Sequence, residues 1–267
     1  MRATLILIGL VVAARPAAAE LTLAEGVCQV RASRNVVATE SRRYAKCLLK
    51  CAQHLGSLAS GATECPLANA CANGGLANPD CRCLDRAIQT AVAHEVDGCA
   101  DCPECYVNAG GDPNPSCEPD ANAKSDTVAM WSESLFFTGS PAIFCDDGAS
   151  ADGLTVAEGK CQQSVAKTLA GFARKTARCY ADCRNSALGG GPPGACDAPI
   201  LTNPAADAKT RACVQNAQAQ AALRIDKQCG ISTQNRPECY GETDGQGWVT
   251  IEQNFVDQQD PVYFCAD

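Results

Sequence analysis

Apolar positions step along the first part of the chain at helical spacing. Val30, Val37, Tyr44, Leu48, Cys51 and Leu55 lie 7, 7, 4, 3 and 4 residues apart, which places them on one stripe of an α-helix running from Cys28 to about Leu55. Val165, Leu169, Phe172, Thr176, Cys179 and Cys183 form a similar stripe further on. A second helix is predicted from Cys83 to Val96 through Leu84, Ala87, Ala91 and Val92, and its counterpart from Cys213 to Ile225 through Val214, Ala217 and Ala221. Each pair reads as a helical hairpin. The segments that follow are rich in Gly, Pro and Asp, carry one tryptophan each (Trp131, Trp248), and read as irregular chain with one short β-hairpin at most. Glu242–Gln253 spaces oxygen donors loosely like an EF-hand loop, but Gln253 stands where a bidentate Glu is wanted, so it reads as a turn between two short strands.

The two hairpins are near-copies. Leu21-Thr-Leu-Ala-Glu-Gly-Val-Cys28-Gln29 and Leu154-Thr-Val-Ala-Glu-Gly-Lys-Cys161-Gln162 agree at seven of nine positions, and eight cysteines follow in the same order behind both. Pro103-Glu-Cys105-Tyr106 matches Pro237-Glu-Cys239-Tyr240, and the approach to Cys145 matches the approach to Cys265. The expected fold class is mainly α and disulfide-rich: a tandem duplication, each copy an antiparallel helical hairpin followed by an irregular or short β-hairpin segment. The copies run over 20–147 and 154–267, joined by a linker at 148–153 with no large apolar residue. Few contacts are expected to cross between them.

Twenty cysteines against 13 aromatic residues mean that cross-links stand in for core. In an antiparallel hairpin, facing residues have numbers with a constant total. Cys28 with Cys99 and Cys47 with Cys83 total 127 and 130; Cys161 with Cys229 and Cys179 with Cys213 total 390 and 392. The long connections between the helices need internal ties, which Cys51 with Cys65 and Cys183 with Cys196 supply. Cys71, Cys81, Cys102 and Cys117 belong to the first copy alone; Cys71 with Cys81 and Cys102 with Cys117 is the least entangled choice. Cys105 with Cys145 and Cys239 with Cys265 close the two copies.

Residues 1–19 have the layout of a cleavable secretory signal: Arg2, an apolar run to Ala14, Pro16, and Ala17-Ala18-Ala19 before Glu20. The expected protein is secreted or periplasmic, with no membrane insertion. The formal charge is −8, and losing Arg2 and Arg15 takes it to −10, which weighs against nucleic acid or anionic lipid as partner.

No residue cluster forms a recognisable catalytic, cofactor or metal site. Cys99-Ala-Asp-Cys102-Pro-Glu-Cys105 has the form of a redox or cluster motif, yet the second copy keeps Cys229 and Cys239 with Arg236 in the place of Cys102, so bridging accounts for it. Cys47-x3-Cys51 and Cys179-x3-Cys183 put sulfurs one helical turn apart, as copper stores do, but most other cysteines lie at helix ends or in loops and the chain has two methionines. His54 and His94, the only histidines, read as ordinary helix residues.

The start Lys160-Cys161-Gln162, followed by Cys179-x3-Cys183 and a closing Cys229, resembles exported cysteine-rich bacterial proteins built on disulfide-stapled helical hairpins. The resemblance covers about half of each copy and implies fold and location but no activity. A hairpin with two disulfide rungs also resembles the twin CX3C proteins, which carry matched motifs on both helices; here CxxxC occurs on the first alone. The sequence therefore points to an exported, non-enzymatic, disulfide-stapled binding or surface-structural protein without cofactor, its partner a protein or glycan at the cell exterior. A thiol-based redox carrier or copper-binding protein is the alternative.

Overall fold

A computed structural model describes residues 23–35, 39–57, 79–96, 99, 128, 143, 155–188, 195–230 and 235–263. These residues are mainly helical: α1 (Leu23–Asn35), α2 (Ser41–Ser57), α3 (Pro79–Val96), α4 (Val156–Ala187), α5 (Ala208–Cys229) and α6 (Gly245–Tyr263), with a 3-10 turn at Glu238–Tyr240. Among the described residues there is no strand.

Helix α4 begins at a capping box: the Thr155 hydroxyl accepts from the Glu158 amide at 3.3 Å, and the Glu158 carboxylate accepts from the Thr155 amide at 2.6 Å. The Thr155 hydroxyl also donates to the Glu158 carboxylate at 2.7 Å, and this bond together with the one from the Thr155 amide holds the Glu158 pKa below the usual carboxylate value. Buried Val165, Leu169, Phe172, Thr176 and Tyr180 then run down one face. Helix α5 starts at Asp207, whose carboxylate accepts from the Thr210 amide at 2.7 Å. It ends at Gly230, whose φ of 80° suits a residue without a Cβ.

Disulfides join Cys28 to Cys99, Cys47 to Cys83, Cys161 to Cys229 and Cys179 to Cys213. These rungs have the numerical totals of an antiparallel register. Cys183 is bonded to Cys196. That bond ties back the connection between α4 and α5, where Ile200 is buried as a plug and the Asp207 amide donates to the Ala195 carbonyl at 2.8 Å. Cys81 and Cys239 are also disulfide-bonded, to partners outside the described residues. Cys65, Cys71, Cys102, Cys105, Cys117, Cys145 and Cys265, and the side chain of Cys51, lie outside them too.

Three expectations need correction. The stripe from Cys28 to Leu55 is carried by two helices, α1 and α2, with π-helical residues at 39 and 40 leading into the second. The segment around Trp248 is a helix, and not a turn between strands. Trp248, Val249, Glu252, Phe255 and Val256 recur at helical spacing and are all buried, while Asp244 caps the helix by accepting from the Gly247 amide at 2.8 Å. Its Gly and Asp content marks a helix start. The Trp131 segment lies outside the described residues apart from Val128 and Ile143, both buried.

The third correction concerns the linker: the core does not divide there. Helix α4 packs most extensively on α5, and also on α6, α2 and α1; α3 covers the outer side of α1 and α2. One buried cluster joins Tyr44, Leu48 and Leu84 to Val165, Leu169, Phe172 and Trp248. Another joins Val30 and Ala91 to Ala177, Tyr180 and Phe255. The Tyr240 hydroxyl donates to the Ile143 carbonyl at 2.7 Å while its ring meets Trp248 edge-on at 4.9 Å. Helix α1 lies antiparallel along α4: Gly26 meets Leu188 and Arg34 ion-pairs with Asp182, pairs whose numbers total 214 and 216.

Two glycines test the packing in opposite directions. A Cβ on Gly245 would overlap the Ala222 carbonyl oxygen of α5 and crowd Asp226, whose carboxylate accepts the Gly245 amide at 2.8 Å. Gly171, exposed in the middle of α4, has nothing near its Cβ position. We expect Gly171→Ala to raise stability in urea unfolding by about 0.5–1 kcal/mol through helix propensity. Gly245→Ala should lower it by about 1–3 kcal/mol through backbone overlap. A neutral Gly245→Ala would contradict the close approach of α5 and α6.

Candidate functional site

Helix α2 carries Arg42, Arg43, Lys46 and Lys50 and no Asp or Glu. Its buried stripe, Tyr44, Cys47 and Leu48, turns Arg43, Lys46 and Lys50 outward on the neighbouring face, since positions three, four and seven apart stack along a helix. On α3, Leu84 and Ala87 face inward and Arg82 and Arg86, four apart, face outward. The Cys47–Cys83 bond holds the two helices with Cα atoms 5.8 Å apart at that point. The two rows of cations thereby line opposite sides of one groove of about 640 Å³, floored by the disulfide, Ala87 and Thr90.

All five cations are exposed, and among the described residues none is in an ion pair. Among the described residues, no acid and no aromatic side chain lines the groove. Asp85 of α3, outside the lining, accepts from Gln89 at 3.0 Å. The Thr90 hydroxyl donates to the Arg86 carbonyl. The described lining therefore offers hydrogen-bond donors almost exclusively. Positive charge continues toward α4, where Arg42, Lys46 and Lys167 line a smaller cavity of about 270 Å³. Burial, with Arg178 and Arg42 nearby, holds the Arg174 pKa below its usual value.

The corresponding rung, Cys179–Cys213, is an internal comparison. The positions that match Arg43, Lys46, Lys50, Arg82 and Arg86 in spacing from its cysteines are Lys175, Arg178, Asp182, Ala212 and Asn216. Five positive charges become a net of one. Lys175 donates to Gln220 of α5 at 3.1 Å, and Asp182 is ion-paired with Arg34. A rung between two helices thus does not need cations beside it.

The structure brings the described cysteines together only as disulfides, with no free thiol among the described residues. Nor, among those residues, do three His, Cys, Asp or Glu side chains converge as metal ligands. His54 and His94 sit on α2 and α3, with side chains outside the description. Sequence reading missed the groove because total charge was weighed in place of its distribution. The signal was a helix with four cations and no acid, paired by a disulfide with a helix carrying cations four apart. No family model matches the chain, and no curated protein or solved structure matches it.

Like charges three and four apart on a helix repel by a few tenths of a kcal/mol each. Replacing Lys46 and Arg86 together by Gln relieves the Arg43–Lys46, Lys46–Lys50 and Arg82–Arg86 repulsions. Urea unfolding at low ionic strength should show a gain of about 0.2–0.5 kcal/mol per pair relieved, closing in about 1 M salt where screening reaches roughly 3 Å. A loss of stability at low salt would mean that these cations support the fold.

Proposed function

We propose that this chain is an exported, non-enzymatic binding protein: a disulfide-stapled pair of duplicated helical units whose ligand seat is the basic groove between α2 and α3. One observation carries the reading. Five cations without partners among the described residues are held by a covalent rung in an open groove, on a chain whose total charge is negative. Keeping them there costs stability, and an anionic ligand would offset that cost.

Duplication is supported by more than the near-copy sequences. Cys28 and Cys47 are 19 positions apart where Cys161 and Cys179 are 18 apart, and a single extra residue is what a π-turn absorbs; residues 39 and 40 are π-helical. The antiparallel meeting of α1 with α4 is consistent with the self-complementary contact of a two-fold pair, here between two halves of one chain. On this reading 20–147 and 154–267 remain the repeating units, although their cores have merged.

Export is supported by the disulfides, which fit an oxidising compartment outside the cytoplasm, and by the signal-like residues 1–19. Among the described residues no helix is long and apolar enough to cross a membrane. A second reading, a thiol-based protein, draws on the groove itself: Cys83 is partly exposed on its floor, and surrounding cations favour a thiolate.

Alkylating the unreduced, natively purified protein and weighing it separates the two. The binding reading predicts a chain beginning at Glu20 with no alkyl adduct. Two or more adducts on native protein, or a mature chain that retains Met1, would contradict it.

A further inference from the structure

Resting on the binding reading above, we infer that the groove between α2 and α3 takes a chain of phosphate groups. The described lining favours this class over the other common ones. Sugars present hydroxyls that both donate and accept, and their rings pack on aromatic faces; among the described residues the groove has no aromatic side chain and almost no acceptor. Nucleobases need stacking platforms, of which the described lining has none. What remains is a ligand that only accepts and is negatively charged.

The spacing narrows the class. Arg43, Lys46 and Lys50 span seven residues of helix, about 10 Å, and Arg82 and Arg86 face them across the rung. Such a density of charge suits a ligand with an anionic group on every short repeat. Three of the five are arginines, whose planar forks pair with two oxygens of one phosphate, and the two lysines add point charges between them. The Cys47–Cys83 bond and Ala87 add apolar surface to the lining. The Cys179–Cys213 rung, which keeps the scaffold but has Asp182, Ala212 and Asn216 in place of Lys50, Arg82 and Arg86, shows that the charges are not demanded by the hairpin.

The experiment is titration calorimetry of the full, oxidised chain with linear inorganic polyphosphate at about 0.15 M salt, with polygalacturonate as a carboxylate chain for comparison. Wild type should bind polyphosphate at least about tenfold more tightly than polygalacturonate. Lys46→Gln with Arg86→Gln should weaken polyphosphate binding about tenfold. Lys209→Gln with Lys227→Gln, which removes the same charge from exposed positions on α5, should stay within about twofold. All four side chains are exposed, so circular dichroism should show the same helix content in each variant. Equal binding of the two polymers, equal loss in the two variants, or no binding by wild type would overturn the assignment. A protein without free thiols that ignores polyphosphate would refute this ligand and leave the binding reading standing; free thiols in the native protein would refute that reading itself.

Discussion

Helix α4 is the constraint on which the rest of the molecule depends. Among the described helices, α1, α2, α5 and α6 all pack on it, and both buried clusters are organised along it. Its contacts are thin: much of the buried apolar surface belongs to alanines and half-cystines, as in Ala173, Ala177 and Ala181 of α4 and Ala217, Ala221 and Ala222 of α5. Small side chains let helices approach closely but bury little area each, against about 1.5–3 kcal/mol for a large apolar one. The large ones, Tyr44, Tyr180, Trp248 and Phe255, sit where elements from both halves meet α4. Covalent rungs complete the arrangement; in a chain-entropy picture each loop of tens of residues closed this way contributes roughly 3–4 kcal/mol, with overlapping loops not additive.

The same economy produces the groove. Two alanine-lined helices joined by Cys47–Cys83 leave room between their outer edges, and the rung holds there two rows of cations that would otherwise move apart. The scaffold therefore makes possible an electrostatic feature that the fold itself does not need. Elsewhere polar groups are used structurally. Tyr180 donates to Asp257, which also accepts from Gln253 at 2.7 Å, linking α4 to α6. Partial burial raises the Asp257 pKa despite both hydrogen bonds.

Much of this was legible in the sequence because two periodicities are strict. Helical spacing placed α4 and α5 through Val165, Leu169 and Phe172 and through Val214, Ala217 and Ala221. Antiparallel register limits which cysteines can face each other, and the structure bonds those pairs. Helix α6 was hidden because Gly245 and Gly247 read as turn residues; one is glycine because the α5 backbone lies against it, a cause that local sequence does not carry. The sharing of the core was hidden for a related reason. A linker without large apolar residues says nothing about faces that meet elsewhere, such as Tyr44 and Leu48 with Val165 and Leu169. The groove was hidden by averaging, since its five cations disappear into a net charge of −8.

Coverage of α4 from both halves holds the fold together. Its test is the thermal melt, followed by circular dichroism, of the oxidised fragment 154–267 alone and with an equal amount of oxidised fragment 20–147. We expect the fragment alone to melt broadly, because its Val165–Phe172 face lacks α2 and its Ala173–Ala181 face lacks α1, and the added partner to restore a sharp, higher transition. A fragment 154–267 that melts cooperatively by itself and is unchanged by the partner would show that each half holds its own core.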